Sequence, residues 1–167
     1  MSIDSTRPVI ERIANTIYTR LSTMTAGTFP NSPVSEVIRP VRTESFSPKN
    51  YQIILILGDQ EQVEALSKNG NPPSVAFTAD FHICCHVMPS EKDATPFDEY
   101  CSTFYADVVE CLTDSGDANW WRWGNLAVDS NIGPMQPMDT DGGLDGFIVP
   151  LTITYRVSEW SPYEPRY

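Results

Sequence analysis

Apolar positions along the chain fall into two rhythms. Near the N-terminus, Ile10, Ile13, Ala14, Ile17, Leu21 and Met24 recur at three- and four-residue steps, which predicts one helix over about residues 6–24. Ser5 or Thr6 offers a capping oxygen, and Pro8 suits the first turn, where no intrahelical donor is needed. The stretch "AGTFPNSP" ends the helix, and a short strand is expected around Glu36 to Val41. "YQIILILG", Tyr51 to Gly58, is an almost unbroken apolar run with β-branched residues, the pattern of a strand buried on both faces. The polar "DQEQVEALSKNGNPPS" reads as a connection with room for a helical turn, stopped at "NGNPP".

From Val75 to Met88 a long strand is predicted, with Phe81, Ile83, Cys85 and Val87 on one face and His82, Cys84 and His86 on the other. A second helix follows. Thr95 is placed to cap it, Pro96 to open it, and Asp98 completes a Thr-x-x-Asp pattern. Its apolar face is Cys101, Phe104, Val108, Cys111 and Leu112, and Gly116 suits its stop. "ANWWRWGN" is an aromatic connection to a strand around Leu126 to Met135. "MDTDGGLDG" turns the chain into a final strand, Phe147 to Ser158, whose alternate residues Phe147, Val149, Leu151, Ile153, Tyr155 and Val157 are apolar. The aromatic, proline-bearing tail is residues 159–167.

These elements predict an α+β fold in the order α-β-β-β-α-β-β. Strands cluster and helices are few, so the expectation is a single mixed or mostly antiparallel sheet with two main helices packed on one face. At 167 residues, without repeats or an evident linker, the chain reads as a single domain, 1–167.

Composition adds limits. With 41% hydrophobic residues the chain can bury a core, which argues against global disorder. Its 22 acidic and 11 basic residues give a net charge of −11, unsuited to gripping nucleic acid through its phosphates. No apolar run reaches the ~18 residues of a membrane-spanning helix, and the first residues hold no apolar core of a secretory leader. Cys84 and Cys85 are neighbours on a strand and point to opposite faces, while Cys101 and Cys111 lie about 15 Å apart along a helix. Reduced thiols in a chain folded in a cytoplasm are therefore expected, with a strand-to-helix pairing as the alternative.

The sharpest chemical candidate is His82-Ile83-Cys84-Cys85-His86, where two-residue steps align three ligand types that zinc accepts. Each step along a strand is about 6.6 Å, however, too long for a compact site without a bend or a distant further ligand. The plainer reading is a sheet face covered by a helix or a neighbouring subunit. Asp139, Asp141 and Asp145 offer oxygen ligands for calcium but lack the EF-hand spacing, and Asp and Gly also serve hairpin turns. The sequence has no GxSxG, no phosphate-binding glycine loop and no HExxH. The expectation is a non-enzymatic protein without metal or cofactor. Trp120, Trp121 and Arg122 in "NWWRW", and Trp160, Pro162 and Tyr163 in the tail, are aromatic, Pro and Arg positions suited to anchoring a subunit or partner interface. A packing corner in which Arg122 covers a ring is the alternative for the first group.

The sequence resembles the tail terminator, or tail completion, proteins of tailed bacteriophages over nearly its whole length. The likeness is carried by the N-terminal amphipathic helix, by "NPPSVAFTADFHICCHVMPSE" as a long central strand after a proline turn, by "TPFDEYCSTFYADVVECL" as a second helix, and by "VPLTITYRVSEWSPY" as a terminal strand with a Pro-Tyr tail. "HICCH" lies outside that likeness. The resemblance implies a virion protein, assembled in the host cytoplasm, that forms a hexameric ring capping the tail tube. On its other side it would meet a neck or head-completion (stopper) protein, with DNA passing through and no membrane contact. A head–tail connector or stopper of the neck is the alternative. A metal-binding or enzymatic module on His82, Cys84 and His86 is a third reading.

Overall fold

The computed structural model describes residues 6–40, 50–63, 74–89, 94–113, 116, 118–140, 143–158 and 161–166. Ser5, Val41, the "NGNPP" turn, Asp141 and Trp160 lie outside the described residues. The fold is α+β. Helix α1 (Val9–Ser22) precedes strands β1 (Glu36–Ile38), β2 (Gln52–Gln62) and β3 (Ser74–His86); helix α2 (Phe97–Leu112) follows, then β4 (Asp129–Ile132), β5 (Gln136–Thr140), β6 (Gly143–Ser158) and β7 (Ser161–Arg166). The predicted order is kept, with the short strands β5 and β7 added before and after β6 in the sequence.

All seven strands form one sheet, with β1-β2-β3-β6-β4 as its path and β5 and β7 also paired to β6. Only β1 and β2 run parallel. The long pair β3–β6 is the spine, in register from Ser74 opposite Ser158 to His86 opposite Gly146. Three short strands share the other edge of β6: β5 pairs with Gly143 to Ile148, β4 with Leu151 to Thr154, and β7 with Arg156 to Ser158.

Register and periodicity together assign the two faces. The alternating apolar set of β6 lies opposite Cys85, Ile83, Phe81, Ala79, Phe77 and Val75 of β3. All six β6 residues are buried, as are Ile53 and Leu55 of β2 and Val37 of β1. Onto this inner face pack Ile13, Ala14, Ile17 and Leu21 of α1 and Cys101, Phe104, Val108, Cys111 and Leu112 of α2. Phe104 meets Tyr51 at 5.2 Å and Phe147 edge-on at 5.5 Å. Helical three- and four-residue spacing and strand alternation meet in this core, and the predicted apolar faces of α2 and β6 are its two sides.

Several boundaries differ from expectation. Both helices have a proline at the N-cap, Pro8 and Pro96, and neither has a side-chain cap, so Thr6 and Thr95 do not fill that role. Each proline carbonyl accepts two backbone N–H groups of the first turn, which the extended backbone of proline permits. Helix α2 ends before Gly116, at Thr113, whose hydroxyl donates to the Val109 carbonyl (2.8 Å). The stretch expected as a connection after Gly58 begins as strand, because β3 carries the pairing of β2 on to Gln62 past a register shift between Leu57 and Gln60. Burial of β2 on both faces holds only to Leu55, since Ile56 is 41% exposed. The strand expected at 126–135 is the shorter β4. Part of the proline-bearing tail folds back as β7 on the edge of β6, where a strand has no outer neighbour needing a proline N–H.

Candidate functional site

On the sheet face opposite the helices, register places a row of apolar residues, Ile38–Ile54–Cys84–Ile148, beside a second row that holds Ile56, His82 and Pro150. Ile54 in the first row is 5% exposed, and Ile56 in the second is 41% exposed. Further along the same face come Asp80, Thr152 and Asn131, then Glu61, Thr78, Thr154 and Asp129. The face therefore grades from apolar to acidic along the strands. Thr152 donates to the Asp80 carboxylate (3.0 Å).

His82, Cys84 and His86 do share this face. Two strand steps separate the histidines, about 13 Å, so one ion cannot take both on this straight strand. Among the described residues no group of three or more His, Cys, Asp or Glu is placed to hold a metal ion. His82 lies across Gly58, where a β-carbon would come within 2.7 Å of its Nε2. Burial raises the pKa of Cys84 and, more strongly, of Cys85, where the neighbouring thiols Cys84 and Cys101 add to the effect. These are protonated, weakly nucleophilic thiols, and none of the four cysteines is in a disulfide. Of the predicted calcium ligands, Asp145 lies on β6 and Asp139 on β5.

His86 closes the row. Its Nδ1 is buried with no hydrogen-bond partner among the described residues. Desolvation lowers its pKa below the ordinary 6.5, against a smaller opposing pull from Asp145. A proton therefore binds the unfolded chain more readily than the folded one. The fold should lose stability as pH falls below about 6.5 and keep it at higher pH. His86→Gln is expected to flatten the decline between about pH 7 and pH 5.5 in denaturant titrations. An unchanged slope would remove His86 as its source.

The aromatic connection is an internal joint at which two of the predicted anchors are half-buried rims. Trp120 and Trp121 are half-buried, and the guanidinium of Arg122 sits 5.4 Å over the Trp121 ring. Trp123, which sequence reasoning did not single out, is fully buried. Its Nε1–H donates to the Ser130 hydroxyl (2.8 Å), which donates to the Trp121 carbonyl (2.6 Å). Arg20 of α1 lies 4.5 Å over the Trp123 ring and donates to the carbonyls of Leu112 and Trp120. One cation thus caps the negative end of α2 and fixes the corner.

In the tail, Pro162 is exposed and Tyr163 is 41% exposed; the Tyr163 carbonyl accepts from Arg12 (3.1 Å). The structure does not bring tail and tryptophan corner together as one site. It separates an apolar-to-acidic sheet face with no described helix over it, a C-terminal strand on the sheet edge, and a packed tryptophan joint. The sequence matches no protein-family model, and no curated protein matches it.

Proposed function

We propose that this chain is a non-enzymatic structural protein of a tailed bacteriophage: a tail terminator that assembles in the host cytoplasm as a ring, hexameric in number, caps the tail tube and joins it to the neck. The observation that carries this reading is the sheet face turned away from α1 and α2, where Ile56 is exposed, Ile38, Cys84, Ile148 and Pro150 are half-buried around a buried Ile54, and no described helix lies over them. Apolar surface of this kind fits a protein neighbour. The acidic residues beside it, and the net charge of −11, suit a ring that lets DNA slide through without holding it. The order of elements and the C-terminal strand with its Pro-Tyr sequence add the resemblance to tail terminators. No helix among the described residues is long and apolar enough to cross a membrane.

Tube protein on one side of the ring and a stopper on the other are the partners this reading assigns. Size-exclusion chromatography with light scattering should give a hexamer, alone or when purified tube is added. A chain that stays monomeric beside tube would overturn the proposal.

A further inference from the structure

We infer that the ring closes edge to edge: the sheet edge carrying β7 of one copy seats on the sheet edge formed by the outer half of β2 in the next copy. The inference rests on the ring reading and names the surfaces through which two copies meet. Among the described residues, four large hydrophobic side chains stand exposed: Ile56, Val63, Met88 and Tyr163. Met88 lies just past the end of β3. The other three belong to two patches of opposite charge.

The first patch is on β2. Strand β1 ends opposite Ile54, so from Leu55 onward β2 has no described strand on that side. Ile56 within β2 and Val63 just past it flank the exposed carboxylates Asp59 and Glu61, and β2 contains no basic residue. The second patch is on β7, where Tyr163 is exposed beside Pro162. Arg166 lies opposite Arg156, Arg12 of α1 donates to the Tyr163 carbonyl (3.1 Å), and Arg7 precedes the same end of α1. Four of the seven described arginines thus stand at this end, against one acid in β7, Glu164, which lies 3.4 Å from Arg166. Pairing with β6 and the bond from Arg12 make β7 a fixed platform for them.

Register puts the two patches at one level on opposite edges of the sheet. Val63 donates its N–H to the Ala76 carbonyl, Ala76 is opposite Arg156, and Arg156 is opposite Arg166. Three strand spacings, about 14 Å, separate β2 from β7, and the two edges face away from each other, so one neighbour cannot fill both. A contact between unlike patches is therefore head-to-tail, and repeated around an axis it closes as a ring. In that contact Tyr163 lies against Ile56 and Val63, while Arg12 and Arg166 meet Asp59 and Glu61. Charges more than about 8–10 Å apart are screened at physiological salt, so edges of unlike sign attract although the whole chain carries −11. An aromatic anchor ringed by polar groups is a common make-up of protein interfaces.

The test uses the full-length chain with Tyr163 replaced by the photo-crosslinking residue p-benzoylphenylalanine. Rings are assembled from a mixture with isotope-labelled copies, irradiated, digested and read by mass spectrometry. Edge-to-edge closure predicts links from position 163 of one copy to the segment 55–63 of another. If light scattering reports rings and the links fall elsewhere, or only within one copy, this contact is overturned and the ring reading stands. If no ring forms under any condition, alone or beside purified tube, both fall. As a second measurement, Glu61→Arg and Arg166→Glu should each weaken ring assembly by about tenfold, and the chain carrying both should regain most of the loss. That double variant separates a lost contact from a folding defect, because defects at two distant sites add and do not cancel. No regain, or rings of undiminished strength from either single variant, would also overturn the contact.

Discussion

Replacing Trp123 by alanine is expected to destabilise the fold by about 3–5 kcal/mol, the usual cost of emptying a buried tryptophan site. The size follows from what meets at this ring. It is 0% exposed, stacks edge-on with Trp120 at 6.1 Å, and carries Arg20 on its face. Its indole N–H satisfies Ser130, which in turn satisfies the Trp121 carbonyl. Removing the ring leaves a cavity, a Ser130 hydroxyl that has lost its donor, and an arginine without its platform. Trp123 also holds a left-handed backbone (φ 48°), which an aromatic residue adopts only when its surroundings enforce it. Trp121→Ala, at the half-buried rim, should cost about 1 kcal/mol or less. Urea denaturation with an unchanged m-value checks both. A Trp123→Ala midpoint close to wild type would show that the joint does not hold α1, α2 and β4 together.

The sequence made the core of this fold visible and hid its edges. Ile13, Ala14, Ile17 and Leu21 announced α1 because burial on one helix face requires three- and four-residue spacing, and Phe147 to Val157 announced β6 because a one-sided strand alternates. Edge elements carry no such demand. Gln60 and Gln62 are strand residues because β3 lies beside them, not because of their own pattern. Pro137, Pro162 and Pro165 argue against strands, yet β5 and β7 occupy edges, where a missing N–H is tolerated.

The candidate site was legible to a similar degree. The shared face of His82, Cys84 and His86 follows from the period of two, and the metal reading was weakened in advance by the length of a strand step. That the same face holds Ile38, Ile54 and Ile148 depended on strand order, which no local pattern encodes. Trp123 was overlooked because burial within a tryptophan cluster is decided by distant Arg20 and Ser130. Tyr163 drew notice as a tail aromatic, but its place in a strand on the molecule's own sheet edge was a tertiary outcome.

Gly146→Ala is expected to be at least as damaging as the tryptophan change, about 4 kcal/mol or more, and to act through the backbone. Gly146 has φ +145°, a conformation closed to alanine. A β-carbon there would stand 1.9 Å from the Cys85 carbonyl oxygen and 3.0 Å from its carbon, so the clash is with main chain and no rotamer relieves it. The residue is opposite His86 on β3 and Met138 on β5, which makes it the point where two strand pairings on either side of β6 depend on one close approach. Forcing it apart should separate the β5 end of the sheet, expose the His86 row and leave the Arg156–Ser158 end paired as before. Hydrogen exchange can separate this from global loss: protection should fall first at Val87, whose N–H donates to the Asp145 carbonyl, and at Tyr51, whose N–H donates to the His86 carbonyl. If the variant folds with wild-type stability and unchanged protection at these amides, the close β3–β6 contact at Gly146 is not a constraint on the sheet.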